Sequence, residues 1–257
     1  MSEWVLIIVL FALGSTIGSF LNVCIIRIPK KISIVFPPSH CPACKKPIPF
    51  YYNIPLLSYI ILGGRCRYCK APISFQYFLV ELLTPIIMLF LFFCFDISWS
   101  FIISFIFSAA LIVITFIDLR NQIIPDFISL PGILLFFLCS FIVPWTDPIQ
   151  SLLGILVGGG TLYIFALGYQ FLTKKEGMGG GDIKLLAMIG AFLGWKGALA
   201  TLILGAFAGS IIGIILIIFK GKDFKYAIPF GPFLSAGAFC TLFFGEKLIH
   251  LYLSIGR

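Results

Sequence analysis

Apolar residues run along this chain in long unbroken stretches, separated by short polar turns and by two longer polar segments. The stretches lie at Trp4 to Ile26, Ile73 to Phe95, Trp99 to Leu119, Ile123 to Trp145, Ile149 to Leu172, Ile183 to Trp195, Ala198 to Phe219 and Ile228 to Leu253. A helix rises about 1.5 Å per residue, so a hydrocarbon core about 30 Å thick needs about 20 apolar residues, and only the sixth stretch falls clearly short. The pattern predicts an all-α polytopic membrane protein of about eight transmembrane helices. Alternating ten-residue segments, which would mark a membrane barrel, are absent. The longer connections run from Arg27 to Pro72 and from Thr173 to Gly181. The chain therefore divides into a first transmembrane helix (1–26), a loop (27–72) and a seven-helix core (73–257).

Composition agrees: 60% of the 257 residues are hydrophobic and 11% charged, against roughly 25% charged in a soluble domain. The net charge of +8 would suggest nucleic acid in a soluble protein, but here the basic residues gather in loops. Eight of them (Arg27, Lys30, Lys31, Lys45, Lys46, Arg65, Arg67 and Lys70) share the first loop with no acid. Positive-inside sorting puts that loop in the cytoplasm and the chain ends outside, with Arg120, Lys174, Lys175, Lys220, Lys222 and Lys225 on the loop's side. The expected partner of this charge is the lipid bilayer and not nucleic acid. No basic residue precedes the first apolar run, so that run reads as a retained span and not a cleaved signal, whose charge order is opposite. Glycines in spans five to seven, several of them four apart, read as close helix packing. The run Gly158-Gly159-Gly160 is no dinucleotide turn, because no strand precedes it.

The first loop carries Cys41-Pro-Ala-Cys44 and Cys66-Arg-Tyr-Cys69, two knuckles with 21 residues between them. Four thiolates suit tetrahedral Zn²⁺, and with all four positions filled by sulfur the ion is structural, with no place for a reactive water. A thioredoxin-like pair would need a βαβ context, and disulfides an oxidising compartment. The apolar run Ile48 to Leu62 is expected to lie along the membrane face and fix the module. His40 stands beside the first knuckle as an outer neighbour at most. Cys24, Cys94, Cys139 and Cys240 have no ligand spacing and read as packing residues.

Ionisable groups at membrane depth are costly, so each acid needs a place. Glu3, Asp96, Asp147 and Glu246 fall near outer loops, and Asp223 among inner lysines. Glu81 lies inside span two, facing the protein; Asp118, Asp126, Glu176 and Asp182 gather on the cytoplasmic side. Asp182 closes Gly179-Gly180-Gly181-Asp182, a G-x-G-D motif whose glycines allow positive φ and close backbone approach, such as that of an extended substrate. Helix capping explains an aspartate before an apolar helix. It explains neither three consecutive glycines nor Asp118 at a helix C-terminus, where a carboxylate opposes the helix dipole. Two carboxylates at one site share a proton and titrate as a pair, which is the chemistry of aspartic proteases. Spacing leaves open whether Asp118 or Asp126 pairs with Asp182. Lys184 either acts electrostatically on Asp182 or snorkels to the interface. The rival from another class is a proton- or cation-coupled transporter using the buried carboxylates.

Taken in order along the chain, several segments resemble the bacterial type IV prepilin peptidases, membrane aspartic peptidases of the G-x-G-D type. These are Gly18-Ser-Phe-Leu-Asn22-Val with Arg27 and Pro29, both knuckles, Asn53-Ile-Pro-Leu-Leu-Ser-Tyr59, Glu81, Ile117-Asp118, Pro125-Asp126, the block Glu176 to Leu185, and Ile228-Pro-Phe-Gly-Pro-Phe233. The resemblance implies catalytic aspartates at Asp118 and Asp182, choosing Asp118 over Asp126, with Gly179, Gly181 and Lys184 in the active-site loop. It implies prepilin or pseudopilin substrates, cut after glycine at the cytoplasmic face of the bacterial inner membrane. It also implies N-methylation of the new amine by S-adenosylmethionine, an activity that accompanies the cysteine-containing form and for which the residues show no cofactor fingerprint. Gly180 stands where relatives often carry an aromatic, which bears on the substrate groove and leaves G-x-G-D intact.

Overall fold

The computed structural model describes residues 3–174, 179–220 and 228–255, with the side chains of Phe50, Ile217, Lys220 and 246–255 excepted. The expectations for Lys175, Glu176, Lys222, Asp223 and Lys225 lie outside the described residues. Those for the side chains of Lys220 and Glu246 do too. The described residues are helical and contain no strand: α1 (Glu3–Arg27), a 3₁₀ turn (Phe50–Tyr52), α2 (Leu57–Ile61), α3 (Phe75–Phe95), α4 (Trp99–Asn121), α5 (Asp126–Cys139), α6 (Pro148–Thr173), α7 (Gly180–Lys220) and α8 (Gly231–Ile255). Five helices, α1, α3, α4, α6 and α7, are long and apolar enough to cross a membrane, and Asp126–Cys139 and Gly231–Gly245 are shorter apolar helices. The protein is a multi-pass membrane protein. The count of eight spans is not confirmed: the fourth stretch folds as the 14-residue α5, and the sixth and seventh form the two arms of α7, which meet at Gly194.

Two compact units divide at Val113–Ile114, within α4. In the first, α1 packs on α3. A Cβ at Gly14 would lie 2.6 Å from Pro85 Cα, and one at Gly18 would lie 3.0 Å from Glu81 Cα, so the two backbones meet closely at small residues. Asn22 ties the seam one turn further on, its Nδ2 donating to the Tyr77 carbonyl at 3.0 Å.

The second unit is built around α7, which is interrupted at Gly194 (φ 71°, ψ 177°), a backbone state open to glycine. The chain reverses there. Leu186 before the break and Ala198 after it both lie against Gly158 of α6, which a single straight rod could not achieve. Gly154 and Gly190 are so close that a Cβ on either would land on the other's carbonyl, and Ser151 Oγ donates to the Ala191 carbonyl at 2.6 Å. The close-packing reading thus holds for Gly154, Gly158 and Gly190, whereas Gly160 and Gly168 have nothing within 4 Å of an added Cβ. The second arm of α7 packs on α8 through Gly205 against Phe233 and Gly237 against Thr201.

Candidate active site

Asp118 sits one turn before the end of α4, beside the fully buried Ile117, and is itself 5% exposed. A carboxylate there faces the negative end of its own helix, and the fold answers with the positive end of another. The Phe230 carbonyl accepts the amides of Phe233 and Leu234, which opens α8, and leaves the Gly231 N–H free to donate to Asp118 Oδ2 at 2.9 Å. Gly231 is glycine for a steric reason as well, since a Cβ would lie 2.7 Å from that same oxygen. Sequence reasoning assigned Gly231 no role. The available signal was Gly231-Pro232 at the head of an apolar run, where proline in the first turn marks a helix N-terminus.

Asp182 lies in the first turn of α7 and is not a cap, because the helix has already begun at Gly180 and its own amide donates to the Gly179 carbonyl. Its Oδ1 is buried without a hydrogen-bond partner among the described residues. It lies near enough to Asp118 for the two charges to interact. The glycines before it divide the work. An added Cβ at Gly181 would lie 2.8 Å from Ile124 Cβ, so this glycine admits the turn after Asp118; one at Gly180 would have nothing within 4 Å, and one at Gly179 would lie 3.8 Å from Asp182 Oδ2. None of the three takes up the left-handed backbone that the motif allows.

Asp126 and Lys184 find each other instead. Lys184 Nζ lies 2.7 Å from Asp126 Oδ1, with the side chains 36% and 57% exposed. Lys184 therefore neither points at Asp182 nor simply reaches for water; it ties the start of α5 to the start of α7. The two elements it joins are those that carry the turn after Asp118 and the helix that bears Asp182.

In the first unit, the sulfurs of Cys41, Cys44, Cys66 and Cys69 lie within 4.8 Å of one another and could hold a metal ion. The two knuckles share one design. Lys45 N–H donates to Cys41 O and Lys70 N–H to Cys66 O; Cys41 N–H donates to Lys46 O and Cys66 N–H to Ala71 O; Lys45 and Lys70 have φ of 57° and 59°. Cys41 Sγ and Cys69 Sγ stand 3.8 Å apart, which is the edge of a tetrahedron whose arms are about 2.3 Å. The amides of Cys69 and Tyr68 lower the Cys66 thiol to about 6. Although the Ala71 amide favours the Cys69 thiolate, desolvation and hydrogen bonds with the other sulfurs push Cys69 up to about 11. His40 turns its Nδ1 toward the Pro38 carbonyl at 3.1 Å and is not among the four. The loop between the knuckles is anchored on α3, where Leu56 N–H donates to Glu81 Oε2 at 2.8 Å and the rings of Tyr59 and Phe78 lie 5.4 Å apart.

Two family models match the chain: the bacterial peptidase A24 N-terminal domain over residues 12–95, and the type IV leader peptidase family over residues 105–214. The chain belongs to the type IV leader peptidase family. Proteins named prepilin leader peptidase/N-methyltransferase are similar along nearly the whole length. The one from Aeromonas salmonicida is 36% identical over 98% of this chain and 95% of its own. Those from Pseudomonas aeruginosa and Legionella pneumophila are each 32% identical, covering 94% and 97% of this chain and 91% and 95% of theirs. No solved structure matches. The two models part the motifs as the geometry does: the cysteines, Asn22 and Glu81 fall in the first, and Asp118 and Asp182 in the second.

Proposed function

We propose that this chain is a membrane-embedded aspartic endopeptidase that removes the short basic leader of type IV prepilins or pseudopilins after glycine, and that it N-methylates the amine so exposed. The observation that carries the first activity is the nearness of Asp118, held by the Gly231 amide, to Asp182, whose buried Oδ1 has no hydrogen-bond partner among the described residues. Asp118 accepts a hydrogen bond from a fixed donor and serves as the charged member, taking a proton from water as it attacks the scissile carbonyl. Asp182 serves as the protonated member, donating to the carbonyl oxygen, and the leaving amine is protonated as the tetrahedral intermediate collapses. The Lys184–Asp126 pair sets the two helix starts and takes no part in proton transfer. Both aspartates stand at helix ends, where a substrate helix leaves the bilayer, and not at mid-span as a transporter's coupling site would.

Zinc is the ion proposed for the four cysteines, because a closed set of four thiolates at a 3.8 Å edge suits it and leaves no open position. Its work is to fold the 27–72 loop. S-adenosylmethionine, when bound, supplies an electrophilic methyl group for the second activity. The reading assigns the loop and the aspartate pair to the cytoplasmic face of the bacterial inner membrane, and positive-inside sorting of the basic residues along the sequence supports it. The division into helix 1–26, loop 27–72 and core 73–257 belongs to the same reading.

The test is processing of a purified prepilin by the full chain in liposomes supplied with S-adenosylmethionine, read by product mass. A cut after the leader glycine with one added methyl group is expected. An intact prepilin at every enzyme concentration would refute the reading.

A further inference from the structure

Glu81 is a buried carboxylate that peptide cleavage does not use. Its Oε2 accepts the Leu56 amide at 2.8 Å, and the Ser19 hydroxyl donates to the same carboxylate. Leu56 has a φ of 61°, a left-handed state that a leucine takes only where its surroundings impose it. The 21 residues of α3, at about 1.5 Å each, make a helix about 31 Å long, which leaves nothing to spare over a hydrocarbon core about 30 Å thick. Phe75, its first residue, therefore stands at the core boundary. Glu81 is about 9 Å further in, and a helical side chain leans back toward the helix start, so the Leu56 amide lies about 5–9 Å inside the boundary.

From there the chain climbs back out. The Tyr59 ring lies 5.4 Å from that of Phe78, and its hydroxyl donates to the Ile73 carbonyl at 3.3 Å. The Ile73 N–H donates to the Gly64 carbonyl at 2.7 Å, which sets Gly64 level with the residue before the Ser74 cap of α3. The segment between suits that depth. No charged residue occurs from Pro47 to Gly64. The short helix α2 buries none of its residues, and Ile54, Leu57, Ile60 and Ile61 are all exposed, Ile61 by 77%. An amide in hydrocarbon has no water to bond, so backbone there must be satisfied by protein. The amides of Leu57, Ser58, Ile60, Leu62, Gly63 and Gly64 all bond carbonyls between Ile54 and Ile60, and Glu81 takes the one from Leu56.

We infer that residues 54–62 form a re-entrant segment: α2 enters the leaflet on the loop's side and lays Ile54, Leu57, Ile60 and Ile61 among the acyl chains, with Glu81 as the acceptor that lets the backbone turn at Leu56. The segment is immersed, which goes beyond a loop resting on the membrane face, and the inference is independent of the proposed function. Lipid is the occupant of this apolar surface for two reasons. The surface is continuous with the side of α3 that must face lipid, because Tyr59 lies against Phe78 and Phe78 against the exposed Phe75. The exposed Lys45, Lys46, Arg65 and Arg67 flank it, a charge that complements anionic headgroups and repels a basic leader.

The test puts a tryptophan at the most exposed of the four positions and reads its emission as the difference from wild type, with the full chain in vesicles of phosphatidylcholine and phosphatidylglycerol. Ile61→Trp is compared with Lys30→Trp, an exposed position just past α1. The inference predicts a blue-shifted Ile61→Trp emission that lipids brominated in their acyl chains quench about twofold and aqueous iodide spares, with the opposite order for Lys30→Trp. Adding Glu81→Leu to Ile61→Trp removes the acceptor for Leu56 and should exchange bromolipid quenching for iodide quenching. Adding Glu81→Gln, whose amide oxygen still accepts, should keep the Ile61→Trp pattern; far-UV circular dichroism checks the fold of each. Iodide quenching of Ile61→Trp equal to that of Lys30→Trp would overturn the inference. So would quenching by neither agent, the mark of a protein partner such as a second copy, or bromolipid quenching unchanged in a folded Glu81→Leu variant. The Ile61→Trp and Lys30→Trp comparison decides the matter even where Glu81→Leu does not fold.

Discussion

Replacing Gly231 by alanine perturbs the reacting group through one atom. The new Cβ would lie 2.7 Å from Asp118 Oδ2 and 3.3 Å from Ile124 Cδ1, whereas ordinary contact begins at 3.4 Å. The α8 backbone is pinned by the Phe233 and Leu234 amides on the Phe230 carbonyl, so the carboxylate gives way, by about 0.7 Å. Misplacement of a catalytic group by 1 Å costs on the order of 10²-fold, so kcat should fall about 20-fold, equivalent to about 2 kcal/mol of transition-state energy. The assay is steady-state cleavage of prepilin in liposomes, with Gly180→Ala as the control, since nothing lies within 4 Å of its added Cβ. The expected result is a lower kcat and a KM within about twofold for Gly231→Ala, with Gly180→Ala unchanged. Activity of Gly231→Ala within threefold of wild type, or an equal loss in Gly180→Ala, would refute the geometry.

Three other outcomes follow from the packing and the charges. Lys184→Met, Asp126→Asn and the double variant should lose the same small stability, up to about 1 kcal/mol because the pair is partly exposed, and additive losses in a thermal melt would show the two do not interact. Gly154→Ala drives a methyl into the Gly190 carbonyl and should cost about 1–3 kcal/mol by detergent or urea unfolding, where Gly160→Ala costs nothing; equal melts would contradict the α6–α7 contact. The purified chain should carry one zinc ion by mass spectrometry and lose it in Cys41→Ser or Cys66→Ser; a metal content unaffected by either serine would remove the four-sulfur site.

Much of this was legible because hydropathy and ligand spacing are local. The spans at α1, α3, α4 and α6 follow from apolar run length alone, and the two knuckles from C-x-x-C in a loop without acids. A turn between the sixth and seventh apolar runs was legible at Lys196-Gly197, whereas the break falls inside the sixth run, at Gly194, where the packing of Gly154 on Gly190 sets it. What eluded the sequence is what pairs across distance. Asp118 and Asp126 flank the same turn and look equivalent along the chain, and only the fold gives Asp118 the Gly231 amide and Asp126 the Lys184 ammonium. The role read for the G-x-G-D glycines was half right in kind: close approach occurs at Gly181, but its partner is Ile124 of the same chain. Glu81 was legible as a buried acid, while its hold on Leu56, 25 residues away, was not.

The central claim is that Asp118 and Asp182 together cut the substrate and that Asp126 does not. The measurement is prepilin cleavage in liposomes by Asp118→Asn, Asp182→Asn and Asp126→Asn, followed by product mass. The account predicts no cleavage by the first two and a correct cut by the third at a rate within tenfold of wild type. Cleavage that survives either of the first two substitutions, or is abolished by the third alone, would contradict it.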